Sequence, residues 1–157
     1  NTSMKGSCTC KKCEYQLLRK PLVVHSCHCI NCQEQSGSSH SQNAMIERVF
    51  VRNIVGEVKP FLVSTGSNKG QIIYRCRACM TALWSVYNII GPNFYYIRVG
   101  TLEDPNLCPP DVHIFLKQKV SWLQIPKNTQ AFQEMYNRNE VWAPSSLKRM
   151  QSVVGSG

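Results

Sequence analysis

Seven of the nine cysteines in this chain fall into three tight clusters, and any fold it adopts has to bring those clusters into usable geometry. Cys8 and Cys10 form a C-x-C pair, and Cys76 and Cys79 form a C-x-x-C pair far along the chain. Between them lies Cys27-His28-Cys29-Ile30-Asn31-Cys32, with three thiols in six residues. In a strand, residues i and i+2 point the same way, so Cys8 with Cys10, and Cys27 with Cys29, can each grip one ion. A C-x-x-C pair reaches the same result by turning the backbone. A half-site with two ligands binds zinc poorly alone, so the first and third clusters are paired here as one closed, four-thiolate, structural site. The triad supplies only three thiolates, the arrangement in which zinc keeps a fourth position for chemistry. Two zinc ions per chain are expected.

Composition narrows the class. At 157 residues the chain reads as a single domain over residues 4–150, large enough to bury roughly two thirds of its unfolded surface. Residues 1–3 (Asn1-Thr2-Ser3) read as an expression scar ahead of Met4, and 151–157 as a mobile tail. The sequence shows neither a bilayer-length apolar run nor an opening signal peptide, so an odd number of cysteines points to metal rather than disulfides, and to cytosol or nucleus. The formal charge is +9; seven thiolates and two divalent cations would bring it to about +6. The basic residues are scattered, with Lys148-Arg149 the densest group. That pattern describes a solvated surface first, with attraction of a small anionic substrate as the second reading, rather than a nucleic-acid or membrane face.

Short β-branched and apolar stretches at 21–25, 48–55, 61–65, 71–75, 82–87, 94–100 and 112–117, with 14–17, read as strands separated by turns. Helix is expected only in the last third. Asn128 or Thr129 would cap a short helix with Phe132, Met135 and Tyr136 on one face, and Pro144 would start another carrying Leu147 and Met150. His28 is the nearest candidate to close the triad, but in an extended segment its side chain points away from Cys27 and Cys29. His25 and His113 read as packed histidines, Cys13 as a buried thiol and Cys108 as a loop thiol.

These motifs resemble a known family. Gly6-Ser7-Cys8-Thr9-Cys10 is similar to the opening G-x-C-x-C of the glutathione-dependent formaldehyde-activating enzymes. Cys27 to Cys32 with Ser36-Gly37-Ser38 resembles their C-H-C-x-x-C and S-G-S segment, and Tyr74-Arg75-Cys76-Arg77-Ala78-Cys79 their second C-x-x-C hairpin. Gly100 to Pro105, His113-Ile114, Lys119 and Trp122 extend the match, which runs from about Lys5 to Trp122. The resemblance implies a mainly β, zinc-containing β-tent of several short antiparallel sheets with short C-terminal helices. It implies structural zinc at Cys8, Cys10, Cys76 and Cys79, and catalytic zinc at Cys27, Cys29 and Cys32. The implied activity is carbon–sulfur lyase-type chemistry, joining glutathione to formaldehyde or the reverse, with a small-molecule thiol and aldehyde as partners.

The chain departs from the family pattern at Lys11 and Met80, where glycine is usual, and at Gln33-Glu34, where a basic pair often follows the triad. Two other readings follow: a related enzyme using another thiol or a glutathione conjugate, and a non-catalytic zinc module binding protein or nucleic acid, as in the branch that includes centromere protein V.

Overall fold

Strand-forming segments dominate this chain, and their alternation of buried residues organises it into two sheets. The structure, a computed structural model, describes residues 4–154. The smaller sheet has three strands: β1 (Met4–Ser7), β2 (Glu14–Leu17) and β5 (Val51–Val55), in the order β1-β2-β5. The larger has eight: β3 (Val23–Cys27), β4 (Ser41–Glu47), β6 (Val58–Val63), β7 (Gln71–Cys76), β8 (Ala82–Tyr87), β9 (Phe94–Arg98), β10 (Val112–Ile114) and β11 (Gln130–Ala131). Its order is β11-β10-β3-β4-β9-β8-β7-β6. Three short helices accompany them: α1 (Ile30–Ser36), α2 (Arg138–Val141) and α3 (Pro144–Val154).

The mainly β class is as expected, but the detail differs. There is one large sheet beside one small one, and the large sheet has a parallel edge, because β10 runs parallel to both β3 and β11. Strand β4, whose Asn43–Glu47 stretch is buried on both faces, carries no clean alternation and was not anticipated. Helix α1 was also unanticipated, because seven residues are too few for a periodic signal. The expected helix at 129–136 is absent. Its backbone is claimed by the sheet edge instead: Phe132 N–H donates to His113 O, and Phe115 N–H to Glu134 O. Helix α3 starts at Pro144 as expected and runs to Val154, four residues into the stretch assigned to a tail. Residues 155–157, and the suspected scar at 1–3, lie outside the described residues.

The central strands of the large sheet are covered on both faces. One face, with Val24, Ala44, Ile46 and Ile97, packs on Tyr15, Leu17 and Val51 of the small sheet. There Trp84 is held between Tyr95, stacked at 5.5 Å, and the edge of Tyr15, at 5.7 Å. The other face, with Val23, Met45, Tyr96 and Ile114, packs on Trp142 and Met150 from the C-terminal helices.

Helix α3 is fastened to this second face by charge as well as by apolar contact. Arg149 Nη2 and Nε donate to Glu47 Oε1 and Oε2 at 2.7 and 3.1 Å, and Arg149 Nη1 donates to Lys20 O. The Glu47 side chain is only 3% exposed, so losing its partner would strand a desolvated carboxylate. Arg149→Met is expected to cost about 3 kcal/mol in urea unfolding, most of it recovered in the Glu47→Gln/Arg149→Met double variant.

Candidate metal centre

Strand β1 ends at Ser7, so Cys8 and Cys10 are presented by a turn and not, as expected, by a strand. Lys11 N–H donates to Cys8 O, and Cys8 N–H to Cys13 O, closing that turn. Gly6 leads into it under the Tyr15 ring, where a Cβ would sit 2.3 Å from Cζ, which explains a glycine at the head of the motif. On the other side Cys76 is the last residue of β7. The chain folds back through Met80 N–H to Cys76 O (2.8 Å) and Cys76 N–H to Thr81 O (2.9 Å), which brings Cys79 around.

The two turns meet. The sulfurs of Cys8, Cys10, Cys76 and Cys79 all lie within 4.8 Å of one another, with Cys8–Cys10 at 3.5 Å and Cys10–Cys76 at 3.8 Å. All nine cysteines are free. A zinc ion bonded to four sulfurs at about 2.3 Å would set them about 3.8 Å apart, so spacing and donor chemistry both fit. Backbone N–H groups of Cys13 and Cys79 point at the Cys8 and Cys76 sulfurs, at 3.3 and 3.5 Å. Hydrogen bonds from Thr81 and then Thr9 hold the Cys79 thiol down, at about 4. Cys13 lies beside this group without joining it. Burial, then contact with Cys76, pushes its thiol up to about 12, and its S–H donates to Glu57 O. Cys108, expected as a loop thiol, is buried against Met4 Sδ at 3.7 Å.

The triad is built differently. Cys27 ends β3, Cys29 is the N-cap of α1 and Cys32 lies in its first turn. The C-x-x-C spacing is therefore a helix start: Cys29 Sγ accepts the Cys32 N–H at 3.3 Å. The three sulfurs lie within 4.8 Å of one another, with Cys27–Cys29 at 3.4 Å. Contacts from Cys27, then Cys32, hold the Cys29 thiol well below the ordinary range, against its own burial. Seen from the other side, contact with Cys29, then Cys32, and burial drive Cys27 far up. Contact with Cys27 lowers Cys32, but contact with Cys29 and burial outweigh it and leave the thiol raised to about 12, with the charge of Arg98 a smaller lowering influence. Three sulfurs this close share one negative charge unless a cation joins them, so the donor set suits zinc here as well.

His28 turns away from the triad, as strand alternation implies. It is fully buried, with Nε2 at 3.0 Å from His113 Nδ1 and its ring stacked on His40 at 4.9 Å. His25 takes the opposite face, beside Cys27. Burial lowers it to about 4, so it is neutral, and its Nε2 meets Tyr136 Oη at 2.5 Å. Trp142 Nε1–H also points at Tyr136 Oη, at 2.7 Å. Indole can only donate, so the Tyr136 oxygen accepts there and its hydroxyl proton is free to go to His25 Nε2.

The triad forms part of the wall of a cavity of about 850 Å³. Its floor is the second face of the large sheet: His25, Asn43, Met45, Tyr96 and Tyr87, one register apart on neighbouring strands. Phe115, Met135, Tyr136 and Trp142 complete it. Arg98, on the same face of the sheet but outside the cavity lining, is fixed by Nη1 to Asn43 Oδ1 (2.7 Å) and Nη2 to Ser85 Oγ (2.9 Å). Gln33, where the resemblance places a basic residue, instead ties α1 to His28 O and Gln118 O, both at 2.9 Å. Glu34 lies exposed at the cavity. Sequence reasoning missed Arg98, Tyr87, Tyr136 and Trp142, because only the strand register and the C-terminal fold-back bring them to the triad. Of the residues matched further on, Lys119 Nζ is taken by Val120 O and Leu123 O, and Trp122 is exposed.

The family model described as glutathione-dependent formaldehyde-activating enzyme matches residues 3–118. The chain belongs to that family. A crystal structure of a Rhodobacter sphaeroides protein is similar at 23% identity, covering 64% of this chain and 88% of that one, with a TM-score of 0.47. No curated protein matches. Lys11 and Met80, at the two positions where the resemblance implies glycine, both adopt left-handed backbone, with φ of 66° and 65°. The turns that carry the four-sulfur group are therefore strained by side chains that disfavour them. Replacing both, Lys11→Gly and Met80→Gly, is expected to stabilise the metal-loaded protein by about 1 kcal/mol, read as a rise in Tm.

Proposed function

We propose that this chain joins a thiol, glutathione, to an aldehyde, formaldehyde being the one the family's description names, or runs the reverse carbon–sulfur cleavage. Cys27, Cys29 and Cys32 would hold a catalytic zinc ion, and Cys8, Cys10, Cys76 and Cys79 a structural one. The observation that carries this reading is the contrast between the two sulfur groups. One is a complete set of four formed where two turns meet, whereas the other is a set of three in the wall of a cavity large enough for a substrate. Zinc held by three thiolates would supply one thing: a lowered pKa for an incoming thiol, so that its sulfur is nucleophilic near neutral pH.

The remaining chemistry falls to the chain's own side chains. Arg98 places a fixed positive charge within electrostatic reach of Cys32 and partly offsets the charge gathered at the triad. The aromatic floor excludes water from the reacting pair. As sulfur attacks, the carbonyl oxygen gains charge and needs a donor. Tyr87 lines the same cavity, and burial drives its hydroxyl well above the ordinary range, followed by the charges of Cys32 and Arg98 acting in opposite directions. It stays protonated and can donate to that oxygen.

Native protein is expected to contain two zinc ions per chain by metal analysis. Cys29→Ser should lose one and keep its circular dichroism, whereas Cys76→Ser should lose the fold, since a structural zinc is worth on the order of 10 kcal/mol. Exchange NMR on mixed glutathione and formaldehyde should show adduct formation accelerated over the spontaneous reaction, and Tyr87→Phe should slow it about a hundredfold. A protein with both metals and no acceleration would point to a binding module instead.

A further inference from the structure

The cavity beside the triad is far larger than formaldehyde requires. Formaldehyde has two non-hydrogen atoms, close to the size of one water molecule at about 30 Å³, against a cavity of about 850 Å³. Much of the lining is apolar, although Asn31, Asn43, Thr65, Ser67 and Gln118 also belong to it. Tyr87, Tyr96, Phe115, Tyr136 and Trp142 supply five aromatic rings, with Met135 at the rim. Tyr87 and Tyr96 meet edge to face at 4.7 Å, and burial keeps both hydroxyls neutral. The charged residues among the lining, Glu34 and Arg138, are both exposed. Such an interior cannot compensate the carboxylates of glutathione, which have to remain at the mouth in water.

A second observation comes from the chain itself. The family model ends at residue 118, yet Met135, Tyr136, Arg138 and Trp142 all line the cavity. That segment is held in place by Tyr136, which bonds both His25 and Trp142, and by α3 through Ser146 Oγ to Leu22 O at 2.6 Å. The roof of the chamber thus lies beyond the matched portion, and Tyr136 and Trp142 give it two aromatic rings.

We propose that the electrophile is an aldehyde bearing an aromatic or branched aliphatic substituent, which sits under the roof formed by residues 135–142 while its carbonyl faces Cys27, Cys29 and Cys32. This rests on the thiol–aldehyde reading above: with a polar tripeptide as the thiol, the apolar space is left for the other reactant. The step balances without an oxidant or reductant. A carbon–sulfur bond forms, the carbonyl π pair moves to oxygen, and the proton lost by the thiol ends on that oxygen, giving a hemithioacetal.

The test uses the zinc-loaded full chain. Exchange NMR compares glutathione with formaldehyde and glutathione with phenylpropanal. The expected kcat/KM favours phenylpropanal by at least about tenfold, and Trp142→Ala and Met135→Glu each cut that preference about tenfold. Met135 is exposed, so its variant reports on the chamber even if Trp142→Ala fails to fold. Equal efficiency with the two aldehydes, or a preference untouched by Met135→Glu, overturns the proposal while leaving the thiol–aldehyde reading intact. Faster reaction of formaldehyde with phenylethanethiol than of glutathione with phenylpropanal also overturns it, by assigning the apolar group to the thiol. A separate titration with unreactive phenylpropanol, read by methionine methyl NMR, distinguishes the two failures. Saturable binding lost in Met135→Glu supports the apolar chamber even where no pair is accelerated, in which case the addition reaction is what falls. Absence of saturable binding overturns the chamber.

Discussion

Strand β3 is buried along its whole length, and the side-chain alternation of its five residues divides the molecule. Val24 and Ser26 face one way, toward the small sheet and the histidine cluster; Val23, His25 and Cys27 face the other. Pairing with β4 and β9 extends the second set sideways into Asn43, Met45, Tyr96 and Arg98. A shift of one residue in that register would carry the thiol and the imidazole to the opposite layer and put Ser26 and Val24 in their places. The position of the triad over an aromatic floor therefore depends on a pairing that is protected because both faces are buried.

The two sulfur groups meet different physical demands. The four-sulfur group ties turns more than sixty residues apart (Cys10 to Cys76), so it resists separation of the small sheet from the hairpin of β7 and β8. It tolerates two left-handed residues that are not glycine. The triad is local, made by a strand end and a helix start, and it needs no long-range closure to form. What it needs is surroundings: a fixed guanidinium on the same face of the sheet, neutral histidines, and an apolar volume in front.

Much of this was legible in the residues. The grouping of the seven cysteines followed from spacing, and strands such as 71–75 and 82–87 followed from β-branched runs bounded by turns. Pro144 marked the start of α3. The losses have identifiable causes. Strand β4 shows no clear alternation because Asn43–Glu47 is buried on both faces. Phe132, Met135 and Tyr136 have helical spacing, but the free edge of β10 offered their backbone a better partner. The C-x-x-C of the triad looks the same in sequence whether it is a turn or a helix start. The cavity was invisible, since Tyr87, Arg98, Tyr136 and Trp142 converge only after the C-terminal segment folds back.

That fold-back is continuous in sequence and is fastened largely through side chains, with one buried ion pair and one serine securing its final helix. The scaffold and the sulfur groups are complete before it begins. On the proposed reading, the element that would perform the reaction is separate from the element that would choose the reactant. About twenty residues could be exchanged as a cassette, retailoring selectivity on an unaltered frame.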